Sequence, residues 1–255
     1  MTGVLAADGL TLRVPGATLV DGVTLTVPPG EFLGVVGPNG AGKTSLLRML
    51  AGETEPSSGT VTLDGIPLGA WKPIDLARRR ALLPQHTLLQ FAFRALDVVA
   101  MGRYPHRDSS TQEDLEAALR AMEGSDTAHL AARLYPTLSG GEQTRVSFAR
   151  VLAQETPLVM LDEPTTSLDL RHQEMVMRVL RALVEEGAAV VAVLHDLNLA
   201  ARYADRVALM DRGRLAALAP TREVLAAGLL SAVYQHPVVV VPHPRLDCPL
   251  VLPGG

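Results

Sequence analysis

Residues 37–44 read GPNGAGKT, the spacing G-x-x-x-x-G-K-[ST], with the apolar run FLGVVG leading in and TSLLRMLAG following at helical periodicity. Gly37, Gly40 and Gly42 let the backbone turn so that its N–H groups converge on phosphate oxygens at a helix start, where the helix's partial positive charge also acts. The cradle so defined runs through Gly37, Pro38, Asn39, Gly40, Ala41, Gly42, Lys43, Thr44 and Ser45. Lys43 is placed to reach β- and γ-phosphates, and the Thr44 hydroxyl to ligate Mg²⁺. An ordinary glycine-rich turn would need neither the strand before it nor the helix after it.

Such a metal needs an acidic partner, and LVMLDE puts Asp162 at the end of an apolar run with Glu163 next to it. Asp162 is expected to hold Mg²⁺ through water, and Glu163 to polarise the attacking water as general base; a plain strand-ending turn is the bland alternative for Asp162-Glu163-Pro164. His195 ends a third apolar run, AVVAVL, where a γ-phosphate contact fits, although a lone histidine is more often structural. LSGGEQ, residues 138–143, opens the helical stretch TRVSFARVLAQ with Ser139 at the cap position and Gly140 and Gly141 behind it. That is a second anion-binding helix start, and one nucleotide does not need two.

These residues need elements to place them. The alternation in LTLRV and VTLTV, punctuated by Gly16, Asp21-Gly22 and Pro28-Pro29-Gly30, predicts short antiparallel strands. PLVMLDE and AAVVAVLHD are continuous apolar runs separated by the helical HQEMVMRVLRALVEEG, the pattern of buried parallel strands with crossover helices. From about residue 86 to 150 the composition turns helical, with QEDLEAALRAM amphipathic. The tail from about 213 reads as a small appendage with Val238–Val241 as an edge strand. A chain of 255 residues, 47% hydrophobic, can bury a substantial core; its net charge of −4 gives no global pull toward nucleic acid or anionic lipid. The single cysteine, Cys248, suits a reducing compartment, and neither an export signal nor a run of roughly 18 apolar residues is present.

With LSGGEQ in view, the sequence resembles the ATP-binding subunit of ABC transporters over nearly its whole length. GPNGAGKT, Gln85, LSGGEQ, LVMLDE, SLD at 167–169 and His195 occur in the family's order. The resemblance implies an α/β P-loop NTPase (ABC ATPase) with a RecA-like parallel-sheet core, an N-terminal antiparallel β subdomain and a helical subdomain. One ATP-binding domain would then span 1–255, with the core in about 1–85 and 151–215, the helical subdomain in about 86–150 and an appendage in about 216–255. It implies ATP and Mg²⁺ as cofactors, with Thr44, Gln85 and Asp162 at the metal and Glu163, His195 and Gln85 at the attacking water. It implies a homodimer in which Ser139, Gly140, Gly141, Glu142 and Gln143 act in trans on the partner's nucleotide and Asp169 lies at the dimer seam. Two copies of a transmembrane permease would hold the chain at the cytoplasmic face of the membrane, with a periplasmic or surface-anchored substrate-binding protein engaged indirectly and no nucleic acid. One departure is the adenine side: many members place an aromatic ring upstream of the phosphate loop, whereas LRVPGATLVDG offers only Arg13 or Val14.

Within the family the chain is most similar to importers of heme (hemin). RRRALLPQH, FAF, VVAMGRYPHR, YPTLSGGEQTRVSFARVLAQ, HDLNLAARYADRVALM and HPRLDCPLVLP carry that likeness. Ferric siderophore or cobalamin import is the alternative, and an ABC ATPase acting on nucleic acid or ribosomes a remote one, lacking here the coiled-coil arms or second nucleotide domain it would need. A small-molecule kinase would leave LSGGEQ and His195 without purpose. No direct heme contact is expected, since His86, His106, His129, His236 and His243 show no metal-ligand spacing on a predicted helix. The stretch 83–107 is instead expected to face the permease, with Phe91, Phe93 and the apolar side chains near Val98 and Met101 forming a groove for a permease helix and Tyr104 packing or lining that interface.

Overall fold

The computed structural model describes residues 5–85, 92–106 and 109–255. Apolar alternation in β1 (Leu5–Val14) and β2 (Ala17–Val27) buries Leu5, Leu10, Val20, Val23 and Leu25 on one face. The two pair antiparallel, and with β4 (Ser58–Leu63) and β5 (Ile66–Pro67) they form a sheet in the order β2-β1-β4-β5. Both leading strands are longer than the sequence suggests, because register shifts after Ala7 and Leu10 bend the pair without ending it.

The central sheet has the order β10-β9-β3-β8-β7-β6. Its strands are β3 (Phe32–Val36), β6 (Arg80–Leu83), β7 (Leu158–Asp162), β8 (Ala189–Val193), β9 (Arg206–Asp211) and β10 (Arg214–Pro220), all parallel except the antiparallel edge strand β10. Every residue of β3, β7 and β8 is buried, and strand periodicity deals them alternately to two cores. Leu158, Met160, Val191 and Val193 face α1 (Lys43–Ala51) and the first sheet, against Leu46, Met49 and Leu50. Val159, Leu161, Val190 and Ala192 face α6 (Leu170–Glu185) and α7 (Leu197–Tyr203), against Val176, Met177, Leu180 and Ala200. The short α2 (Pro73–Ala77) precedes β6.

A third core joins α3 (Ala95–Ala100), α4 (Thr111–Gly124) and α5 (Gly140–Ala153) through Val98, Val99, Ala118, Met122, Leu130, Val146 and Ala149. Helix α5 is shared: Phe148 and Val151 enter the sheet's core, Val146 and Ala149 the helical one. Two caps frame this lobe. Ser110 starts α4 by a reciprocal pairing with Glu113, and Ser139 starts α5 the same way with Glu142.

The tail differs from the expected appendage. Residues 214–220 are an edge strand of the central sheet, because β9 presents a free edge to the hairpin that Gly213 turns. Beyond it, α8 (Thr221–Val224), α9 (Ala227–Tyr234) and the hairpin of β11 (Val238–Pro242) with β12 (Pro249–Pro253) place Val224, Leu230, Val233 and Val251 in the sheet's core. Val238–Val241 is a strand, as expected, paired only in this two-stranded ribbon. Among the described residues no helix is long and apolar enough to cross a membrane.

Candidate nucleotide site

Four neighbouring parallel strands end at one edge of the sheet, and each delivers a polar group there. β3 runs into the phosphate loop, β8 leads to His195, β7 ends in Asp162 with Glu163 following, and β6 leads to Gln85. A cleft at this edge is lined by Leu19, Asn39, Gly40, Ala41, Gly42, Lys43, Thr44, Ser45, Gln85, Glu163 and His195.

The loop is closed from below by backbone. A Cβ on Gly37 would stand 2.2 Å from the Met210 carbonyl oxygen and one on Gly42 2.3 Å from that of Leu19, so only glycine passes at either position. Pro38 accepts from the Ala41 N–H at 3.2 Å, tightening the turn. Lys43 lies buried with its ammonium donating to the carbonyls of Gly37 (2.7 Å) and Pro38 (3.0 Å). Burial pushes its pKa down, opposed by the carboxylates of Glu163 and Asp162. The Thr44 hydroxyl donates to Asp162 Oδ1 at 3.1 Å. Burial raises the pKa of Asp162, and the Thr44 hydrogen bond works against that rise.

Glu163 sits in the left-handed region at φ 53°, its N–H donating to the Val193 carbonyl at 3.2 Å, so a backbone bond to β8 holds an uncommon conformation. Gln85 donates to Glu163 Oε2 at 2.9 Å, and His195 Nε2 meets Oε1 at 2.5 Å. A carboxylate only accepts, so the histidine donates from Nε2. Asp196 caps α7 by accepting from the N–H groups of Asn198 and Leu199, which fixes the chain directly after His195.

The LSGGEQ residues do not line that cleft, but Gly140 and Gln143 line an adjoining one with Gln85, Asp162 and Glu163. Ser139 and Gly140 are exposed at the start of α5, Glu142 accepts from the Ser139 N–H and hydroxyl at 2.8 Å each, and Gln143 donates to the carbonyls of Tyr135 and Leu138. Gly141 instead packs on the SLD segment, 3.1 Å separating its would-be Cβ from the Ser167 carbonyl oxygen. Asp169 caps α6 with its side chain outward.

Two side chains that sequence reasoning passed over join the site. Leu19, part-exposed at the cleft, stands nearer the loop than Arg13 or Val14, which lie toward the β1–β2 turn with Arg13 donating its N–H to Ser57. Tyr234 of α9 lies near the backbone of Gly37, and burial pushes its phenol up to about 12. Only the fold brings the tail to the loop, so no local pattern could announce it.

On the stretch 83–107, Val98 is fully buried in the helical core, which corrects its expected place in a groove, whereas Phe93, Met101 and Tyr104 are exposed. Phe91 and His86 lie outside the described residues. His106 Nε2 lies 2.8 Å from the Gln154 carbonyl, His243 Nδ1 accepts from the Arg245 and Leu246 N–H groups, and His129 and His236 are exposed.

A family model described as ABC transporter matches residues 20–166, and the chain belongs to that family as an ATP-binding, ATP-hydrolysing subunit. It is 54% identical over 240 residues to the hemin import ATP-binding protein HmuV of Nocardia farcinica, covering 94% of this chain and 83% of that protein. A protein of the same name from Thermobifida fusca is 49% identical over 253 residues, covering 99% and 89%. Among solved structures, a metal-chelate type ABC transporter in an inward-facing conformation superposes with a TM-score of 0.83 at 26% identity, covering 99% of this chain and 98% of that one. A dimeric bacterial ABC transporter cassette gives 0.78 at 28% identity, covering 86% and 99%.

Proposed function

We propose that this importer ATPase energises uptake of heme through a partner permease, as a homodimer with two composite ATP sites. The cargo reading rests on the likeness to hemin import proteins along nearly the full chain. The site reading rests on four strand ends converging on one cleft, with the exposed LSGGEQ start at Ser139 and Gly140 outside the phosphate-loop lining.

In this scheme the loop N–H groups and Lys43 hold the β- and γ-phosphates, drawing the ammonium from the carbonyls that now satisfy it. Thr44 and Asp162 present hard oxygen donors side by side, a set that fits Mg²⁺, with Gln85 completing it. The ion would neutralise charge developing on the phosphates. Glu163 accepts the proton of the attacking water; Gln85 and His195 hold its two oxygens, leaving lone pairs for that water, and His195 reaches the γ-phosphate. Ser139, Gly140, Gly141, Glu142 and Gln143 close over the partner subunit's nucleotide, and Asp169 meets the partner at the seam. Loss of the γ-phosphate then removes contacts that favour the closed dimer. The exposed Phe93 and Met101 face the permease, which keeps this chain at the cytoplasmic face of the membrane.

Inactivating the chain is expected to abolish growth on hemin as sole iron source while siderophore use persists. The opposite pattern would assign the transporter to another chelate, the reading that the metal-chelate neighbour favours.

A further inference from the structure

Asp169 is held by a histidine that the site described above does not use. Its Oδ1 accepts from both the backbone N–H of His172, at 2.9 Å, and the ring Nδ1, at 2.7 Å. The carboxylate has no proton to give while its pKa is held low, mainly by the backbone hydrogen bond, so Nδ1 is the donor. Both donors converge on one oxygen. The side chain is otherwise outward, 67% exposed, whereas that of His172 is only 18% exposed.

The other ring nitrogen points back into the chain. Nε2 lies 3.6 Å from Asp126 Oδ2, which also takes Arg171 at 2.9 Å. Asp126 follows α4 in the helical lobe with φ 52°, and its carbonyl accepts from Arg145 of α5 at 2.6 Å. One residue earlier on α5, the Thr144 hydroxyl meets that of Ser167 at 2.7 Å. The first turns of α5 and the segment 167–172 are thus joined at two places, through Thr144–Ser167 and through Arg145–Asp126–Arg171, with the His172 ring 3.6 Å from the Asp126 carboxylate and bonded to Asp169.

We propose that His172 is a positioning residue for the dimer contact: it fixes the Asp169 carboxylate by one oxygen and ties it to the helical lobe, so that the seam and the LSGGEQ helix reach the partner subunit as one unit. This rests on the reading above in which both act in trans. A side chain that only stabilised the fold would give no reason for a bridge between two lobes to end on an exposed carboxylate.

The test is steady-state ATP hydrolysis by the full chain with the variants His172→Ala, His172→Asn and Asp169→Ala. Losing a charge-assisted hydrogen bond that orders the reacting assembly should lower kcat about ten- to a hundredfold in His172→Ala, with half-saturating ATP changed by less than about twofold. His172→Asn keeps an amide N–H at the Nδ1 position and is expected to recover most of the lost kcat. Should Asp169→Ala be slow while His172→Ala is unchanged, or should Asn recover nothing, the positioning role is overturned and the seam reading stands. Unchanged hydrolysis in Asp169→Ala would overturn both.

Discussion

Asp162 shows what a site asks of a single side chain. It is 3% exposed, and its hydrogen bond from Thr44 does not offset the loss of water around an ionised carboxylate. A folded pKa raised above 3.8 means that the group's penalty on folding is absent below 3.8 and grows as pH rises through the folded value. Asp162→Asn should therefore melt higher than the parent protein at pH 7.5 without nucleotide, with the difference shrinking toward pH 4 in thermal denaturation. A lower melting temperature at pH 7.5 would show that the Thr44 bond outweighs burial. Lys43, Asp162, Glu163 and His195 were legible because each sits at a fixed offset from an apolar run that ends at the sheet edge. Leu19, Tyr234 and His172 were not, since their roles arise from contacts between segments remote in sequence or from a bond across one helical turn.

Among the elements, α5 and α9 carry more than their sequences announce. LSGGEQ marks where α5 begins, but the division of its faces between two cores, Phe148 to one and Ala149 to the other, depends on where the lobes lie. Helix α9 looks like part of a tail without chemistry, yet it buries Leu230 and brings Tyr234 near the phosphate loop. The strands of the first sheet were legible as strands but not in their length, because bulges let a pair continue past residues that look like turns.

At the scale of the molecule, the parallel core was legible from runs such as FLGVV, LVMLD and AVVAV, which only a sheet covered on both faces explains. The strand order was not, and it is the order that sets Gln85, Glu163 and His195 within hydrogen-bonding reach. What one chain assembles is half of the proposed machine: a nucleotide cleft at one edge, and beside it an exposed helix start whose Gly140 and Gln143 share a second cleft with Gln85, Asp162 and Glu163. Glu163→Gln removes the proposed general base but keeps the hydrogen-bonding shape, so it should slow hydrolysis by about 10²–10⁴-fold and hold ATP in place. Sedimentation velocity of Glu163→Gln with ATP and Mg²⁺ tests the composite site most directly. The account predicts a dimer that forms with ATP and dissociates when ADP replaces it; a monomer at saturating ATP would contradict it.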